Sequence, residues 1–557
     1  MRTREKITRE TRIENLLVIV LSGLVFLLIC SIIVLATVPP VSRDALTYHL
    51  AIPKLYLKHG GVYEIPFMPH SYFPMNLELL YLIPLYFGND IIPKYIHFVF
   101  ALLTAFLIFL YLWKRINLHY GLLGVIFFLS IPVIAKLSIT VYVDLGLMFF
   151  STASLLLLLR WIQDGFPLKL LILSASFCGL ALGTKYNGLI TLFLLTLFVP
   201  FLYSRHTQGK KPGFLKAAGC GILFLSVALL FFSPWMIRNY LWTNNPIYPL
   251  YEHWLNPENA IYRQTVDFLT YRSVVYHETW WQMALLPVRV FFQGQDGNPQ
   301  YFDGRLNPFL LLLPFIAFYR IGRDPKVIRN EKKIMLIFGA LFFVFGFFSE
   351  ALRIRYISPI IPPLVILSIF GIKKVVLTVS ENYSGTIKHI ALGIIFVLVS
   401  LSLCINGSYI LNQFRYVAPF RYLKGTVTRD QYIERYRPEY ATMRYINENL
   451  PADVRILFIY LGNRGYYCDR EYVFDMNNNR STLNQLVKMS DRPEKILGGL
   501  REMGITHLLI NYDIFDRWVK DSFTIQEQEL LERFLKKYVK LLYFKWGYGV
   551  SRMEHSS

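Results

Sequence analysis

NLLVIVLSGLVFLLICSIIVLAT, from Asn15 to Thr37, decides the fold class. It carries no charged side chain and is long enough to cross a hydrocarbon core about 30 Å thick. Five basic residues precede it, Arg2, Arg4, Lys6, Arg9 and Arg12, and no small-residue cleavage site follows. The segment therefore reads as an uncleaved signal anchor with a cytoplasmic N-terminus. Directly after it, Val38-Pro39-Pro40-Val41-Ser42-Arg43-Asp44 ends the apolar run and opens a polar loop.

The same pattern recurs along the 557 residues, at about 92–113, 120–138, 142–161, 167–184, 187–203, 214–237, 307–320, 333–350, 356–373 and 388–406. Hydrophobic residues make up 54% of the chain and charged ones 17%, too few charges to cover so much apolar surface in water. The net charge of +21 comes without an Arg-rich tail or a nucleic-acid motif, which points to topology control instead of nucleic acid. Four of the five cysteines, Cys30, Cys178, Cys220 and Cys404, lie in apolar runs and leave Cys468 alone, so neither a disulfide framework nor a zinc site is implied.

Charge sets the orientation. A shorter stretch, 74–87, holds Glu78 and Pro84 and barely spans a bilayer. If it stays outside, eleven spans place Lys114/Arg115, Arg160/Lys169, Arg205/Lys210/Lys211/Lys216, the group from Arg320 to Lys333, and Lys373/Lys374/Lys388 all on the inner side. That is the positive-inside distribution. The expectation is an α-helical polytopic membrane protein with about eleven spans in residues 1–406, outer loops 38–91 and 238–306, and an extracytoplasmic domain over 407–557. That domain reads as α/β. Arg455–Leu461, Glu471–Asp475, Thr506–Tyr512 and Val539–Tyr543 are strand-like, while Pro493–Met503 and Ile525–Lys537 have helical periodicity.

The ionisable residues within or beside the spans gather at outer ends. Asp44 reads either as a helix cap or as a catalytic carboxylate. Asp144 begins a span near the hydrocarbon boundary, where a carboxylate is costly; it reads as a cap in the favourable dipole sense or as a functional group. Lys185 sits in the tight outer connection Gly183-Thr184-Lys185-Tyr186-Asn187-Gly188, as an interface anchor or a phosphate partner. Arg238, Arg353 and Arg355, with Tyr356, flank other outer ends, and an Arg fork matches two phosphate oxygens. Glu350 pairs with Arg353 or joins the same cluster. Tyr48, His49, His70 and Glu78 complete the candidates, the histidines ranking lower. The aromatic loop 238–306, with Tyr240, Trp242, Tyr248, Trp280 and Trp281, reads as a bilayer boundary or as a surface that stacks on sugars.

A transporter or flippase would place its polar groups near the midplane on broken helices. This distribution instead suits an enzyme acting at the outer surface on an amphiphilic lipid phosphate. A flippase and a lipid-linked glycan ligase remain the alternatives.

Several segments resemble the bacterial GT-C glycosyltransferases of the branch related to protein O-mannosyltransferases and aminoarabinose transferases. They are Asp44-Ala45-Leu46-x-Tyr48-His49-Leu50-x-x-Pro53-Lys54, Phe73-Pro74-Met75-Asn76-Leu77-Glu78, Tyr142-Val143-Asp144-Leu145, Gly183–Gly188 and Ser233-Pro234-Trp235-x-x-Arg238-Asn239-Tyr240. The resemblance implies transfer of a sugar from a polyprenyl-phosphate carrier to a glycan, lipid or protein acceptor at the outer face of the cytoplasmic membrane. It makes Asp44 the base and Asp144 the second acidic position, which would orient the acceptor or hold a divalent cation, and it implies inversion at the anomeric carbon. In that family an acidic pair often stands in the first loop. Here Ala45 follows Asp44, which weakens a metal site built on such a pair.

Overall fold

A computed structural model describes residues 2–207, 213–257, 268–347, 352–477 and 480–554. The apolar runs form helices, as they must where no water is present to pair the backbone. Among the described residues seven helices are long and apolar enough to cross a membrane, and up to eight if one bent pair counts as a single span. The protein is a multi-pass, α-helical membrane protein with a small sheet domain at its C-terminal end.

The bent pair corrects the expectation of one continuous span over 120–138. Leu118–Ser130 and Pro132–Ser138 meet at 69°. Pro132 disfavours helical backbone at Ile131, whose ψ is 129°, and starts a new helix at its own first turn. The stretch at 74–87 forms Asn76–Tyr86, eleven residues long. At about 1.5 Å per residue it covers roughly half of the hydrocarbon thickness. Leu77, Glu78, Tyr81 and Pro84 are buried on one side of it, while Ile83, Tyr86 and Phe87 are exposed.

Two helices form the centre of the bundle. Asp144–Gln163 and Ile354–Asn382 are each 67% buried over their most apolar window, against 11% for Gly385–Val417 and 6% for Glu14–Ala36 at the rim. Leu168–Thr184 packs closely on Phe214–Thr243, where a Cβ on Gly179 would lie 2.3 Å from the Ala228 carbonyl oxygen. Only glycine admits that approach. The last long helix continues beyond residue 406 to Val417.

In the C-terminal domain the strands lie side by side in the order Glu471–Phe474, Arg455–Ile459, His507–Asn511, Tyr548–Met553 and Val539–Lys545. The first three are parallel and the remaining pairings antiparallel. Helices Pro493–Glu502 and Ile525–Tyr538 match the expected periodicity. Strand Tyr548–Met553 and helices Thr482–Lys488 and Tyr512–Ser522 were not legible in the sequence.

This domain is bolted to the first loop of the membrane region. Lys54 Nζ donates to the Tyr466 carbonyl (2.7 Å) and to Asp469 (2.6 Å), and Arg437 Nε donates to the Val41 carbonyl (2.6 Å). The Tyr466 amide donates to the Leu46 carbonyl, and the Tyr467 hydroxyl to that of Pro40. These bonds hold the loop after strand Arg455–Ile459 against the segment that carries Asp44.

Candidate active site

A polar cavity of about 430 Å³ opens where the helix bundle meets the C-terminal domain. Its walls come from distant parts of the chain: Asp44, Tyr48 and His49; Glu78; Lys185; Arg353, Arg355 and Tyr356; and Gly462 and Asn463 of the C-terminal domain.

Asp44 precedes a π-turn, Ala45–His49, that leads into helix Ala51–His59. Its side chain makes no capping hydrogen bond. Instead Arg355 Nη2 donates to its Oδ2 at 2.6 Å. Burial alone would push this carboxyl up; the guanidinium of Arg355, helped by Arg353, overrides that and holds it well below the usual carboxylate range. Asp44 is thus ionised throughout the physiological range. Arg355 spends only one nitrogen on it: Nε and Nη1 are buried without a partner. The guanidinium lies over the rings of Tyr142 (4.9 Å) and Tyr356 (5.3 Å), which fix its plane.

Asp144 opens helix Asp144–Gln163 and is fully buried. Its Oδ1 accepts from Lys185 Nζ at 2.6 Å, while Oδ2 has no partner. Lys185 reaches the cavity and Asp144 does not line it. Each candidate carboxylate therefore makes an ion pair where a helix cap was the alternative. The donor set does not fit the divalent cation considered for Asp144. An ammonium already neutralises that carboxylate, and among the described residues no three His, Cys, Asp or Glu side chains converge.

His49 Nδ1 and Glu78 Oε1 are 2.7 Å apart, both residues almost fully buried. Burial pushes the Glu78 carboxyl up to about 8 and holds the His49 imidazole well below its ordinary value. His49 Nε2 and Glu78 Oε2 have no partner. Tyr48 stacks on His70 at 4.3 Å, ring planes 7° apart.

Arg238 does not reach the cavity. Its guanidinium is held between Trp235 (4.6 Å) and Trp242 (5.0 Å) and donates to the Phe73 carbonyl (3.0 Å) and to Asn239 Oδ1 (2.8 Å). The expected phosphate ligand therefore anchors the Phe73–Pro74 turn, which does line the cavity. Of the loop aromatics, Trp242 serves this anchor, the Tyr248 carbonyl accepts from the Tyr186 hydroxyl, and Trp280 is 79% exposed. None of Tyr240, Trp242, Tyr248, Trp280 and Trp281 lines the cavity. Glu350 lies outside the described residues. The carboxylate found near Arg353 is Asp303, at 3.7 Å.

Sequence reasoning missed His97. It is fully buried, shares Nδ1 with the carbonyls of Leu137 and Thr140 (3.0 Å each), and accepts at Nε2 from the Leu145 amide (3.0 Å). Carbonyl partners at Nδ1 and an amide donor at Nε2 fix one neutral tautomer. His97 thereby clamps the segment that carries Asp144. Its only signal was a histidine inside an apolar run. Asn463 was equally hidden, in a domain that supplied none of the candidate site residues.

No protein-family model matches the sequence, and no curated protein matches it. Among solved structures, ArnT from Cupriavidus metallidurans bound to undecaprenyl phosphate is similar over 96% of this chain and 97% of its own, with a TM-score of 0.54 and 13% identity. The archaeal oligosaccharyltransferase AglB from Archaeoglobus fulgidus, in complex with an inhibitory peptide and a dolichol-phosphate, is similar over 96% of this chain and 74% of its own, with a TM-score of 0.52 and 8% identity. The chain shares its fold with these two solved structures. Within it, the likeness to ArnT extends over nearly the whole of both chains.

Proposed function

We propose that the protein is a membrane glycosyltransferase that moves a sugar from a polyprenyl-phosphate carrier to an acceptor at the outer face of the cytoplasmic membrane. One observation carries this reading: a single cavity joins an ionised carboxylate, Asp44, to an arginine with two buried, unpartnered N–H groups. The neighbours whose fold it shares bind undecaprenyl phosphate and dolichol-phosphate.

The acceptor hydroxyl attacks the anomeric carbon on the side opposite the phosphate. The new C–O bond forms as the bond from carbon to phosphate oxygen breaks, and the configuration inverts. The hydroxyl proton passes to Asp44. A carboxylate held ionised is a weak base, which is adequate when the anomeric carbon is already strongly electrophilic and the proton leaves late. The departing lipid phosphate gains negative charge, which Arg355, Arg353 and Lys185 stabilise. Arg355 keeps Nη2 on Asp44 while its spare Nε and Nη1 meet the phosphate, so one guanidinium links the base to the leaving group. Asp144 acts through Lys185, holding the ammonium at the cavity wall.

The test is turnover of a radiolabelled polyprenyl-phosphate sugar in proteoliposomes supplied with envelope acceptors. Asp44→Asn is expected to lower turnover by about 10²-fold or more, the usual size of a general-base contribution. Unchanged turnover in a folded variant removes Asp44 as the base. A flippase would bind the same lipid and leave its sugar-phosphate bond intact.

A further inference from the structure

We propose that the transferred sugar is an uncharged polyhydroxy sugar, recognised through its hydroxyls by the buried His49–Glu78 pair, and not a cationic amino sugar; this rests on the glycosyl-transfer reading above. The argument begins with which charges are already taken. Arg355 neutralises Asp44, and Lys185 neutralises Asp144. Of the four cationic side chains that line the cavity, Arg43, Lys185, Arg353 and Arg355, the last three face Asp144, Asp303 and Asp44 in turn, and Glu78 is bonded to His49. An ammonium-bearing sugar would enter a space whose carboxylates each already face a cation, with none left to receive it. An unpaired charge in a poorly solvated site is disfavoured, and such a mismatch discriminates between ligands as strongly as a good contact does.

The unpartnered polar atoms say what is wanted instead. Arg355 Nε and Nη1 and Arg353 Nε are cationic N–H donors, suited to phosphate. His49 Nε2 and Glu78 Oε2 are the two free ends of one hydrogen-bonded pair in the cavity wall. A hydroxyl both donates and accepts, so either end can serve it. Asp144 Oδ2 is also unpartnered, but it lies behind Lys185, away from the cavity surface. Burial keeps Glu78 protonated and His49 neutral near pH 7, so the pair adds no net charge that would attract an ammonium. The Tyr48 ring, packed between contacts to His70 and His49, adds an aromatic side chain to the same wall.

The test uses the full chain in lipid nanodiscs and three probes: undecaprenyl phosphate, undecaprenyl-phosphate-glucose and undecaprenyl-phosphate-4-amino-4-deoxyarabinose. Affinities are measured at pH 7. The glucosyl carrier is expected to bind at least about tenfold more tightly than the aminoarabinosyl carrier. His49→Ala and Glu78→Leu are expected to erase the glucosyl advantage over the bare carrier. Retained binding of the bare carrier shows that these variants are folded. Glu78→Gln, which keeps a neutral hydrogen-bonding group, is expected to keep the advantage. Equal or tighter binding of the aminoarabinosyl carrier overturns the inference, as does a glucosyl advantage that survives both disruptive variants. Failure of the wild type to bind the bare carrier overturns the glycosyl-transfer reading itself.

Discussion

Arg355→Lys isolates what the guanidinium supplies beyond its charge. Arginine here gives one N–H to Asp44 and leaves two others buried and unpartnered, its plane fixed by Tyr142 and Tyr356. Lysine retains the positive charge but is a compact point donor without the fork. If both spare N–H groups meet phosphate oxygens, the variant loses two charge-assisted hydrogen bonds. At the lower bound of about 1.5 kcal/mol each, that is about 3 kcal/mol, or roughly 10²-fold in affinity. The assay is equilibrium binding of undecaprenyl phosphate in nanodiscs, with thermal unfolding as the check on integrity. The expected result is a Kd raised by about 10²-fold with the protein still folded. A Kd within about threefold of wild type would refute the assignment of Arg355 as the phosphate fork.

Three further outcomes follow from the same geometry. Glu78 in the folded protein has its carboxyl raised from 4.5 to about 8, so between those values the folded state holds a proton that the unfolded state has lost. Its contribution to stability is therefore most favourable below 4.5 and declines as pH rises towards about 8; Glu78→Gln is expected to raise Tm relative to wild type more at pH 8 than at pH 5, and an equal shift at both would contradict it. His97→Ala leaves the Thr140 carbonyl and the Leu145 amide without their partner, while the Leu137 carbonyl keeps the Thr140 amide and hydroxyl. At about 1–3 kcal/mol for each buried unsatisfied group it should destabilise by more than about 2 kcal/mol and lower turnover, and a neutral effect on both would remove its positioning role. A C-terminal tag is expected to be digested by protease added to intact spheroplasts; protection would reverse the orientation.

The helical part of the fold was legible because the bilayer forces each apolar run to satisfy its own backbone. Within one run the local signal was overridden by a single residue, Pro132, which a hydropathy reading smooths over. The sheet domain was read less completely. Strand Tyr548–Met553 contains Gly549, Ser551 and Arg552, and its place between His507–Asn511 and Val539–Lys545 comes from pairing across the sheet, which composition does not report. At the site, the residue types were readable and their partners were not. Asp44 and Arg355 stand far apart in the chain, and only packing brings them to 2.6 Å. Arg238 looked like its neighbours in the cluster, yet two tryptophans on its own helix, one turn to either side, hold it as an anchor. Asn463 and Gly462 reach the cavity because the C-terminal domain docks on the first loop, a contact no local pattern encodes.

The most direct measurement is an electron cryomicroscopy structure of the protein in nanodiscs with undecaprenyl phosphate. The phosphate is expected within about 3 Å of the spare nitrogens of Arg355, facing Arg353 and Lys185, with Asp44 on the sugar side. Phosphate density outside this cavity, or an Arg355 whose Nε and Nη1 stay without a phosphate contact in the loaded protein, would contradict the account.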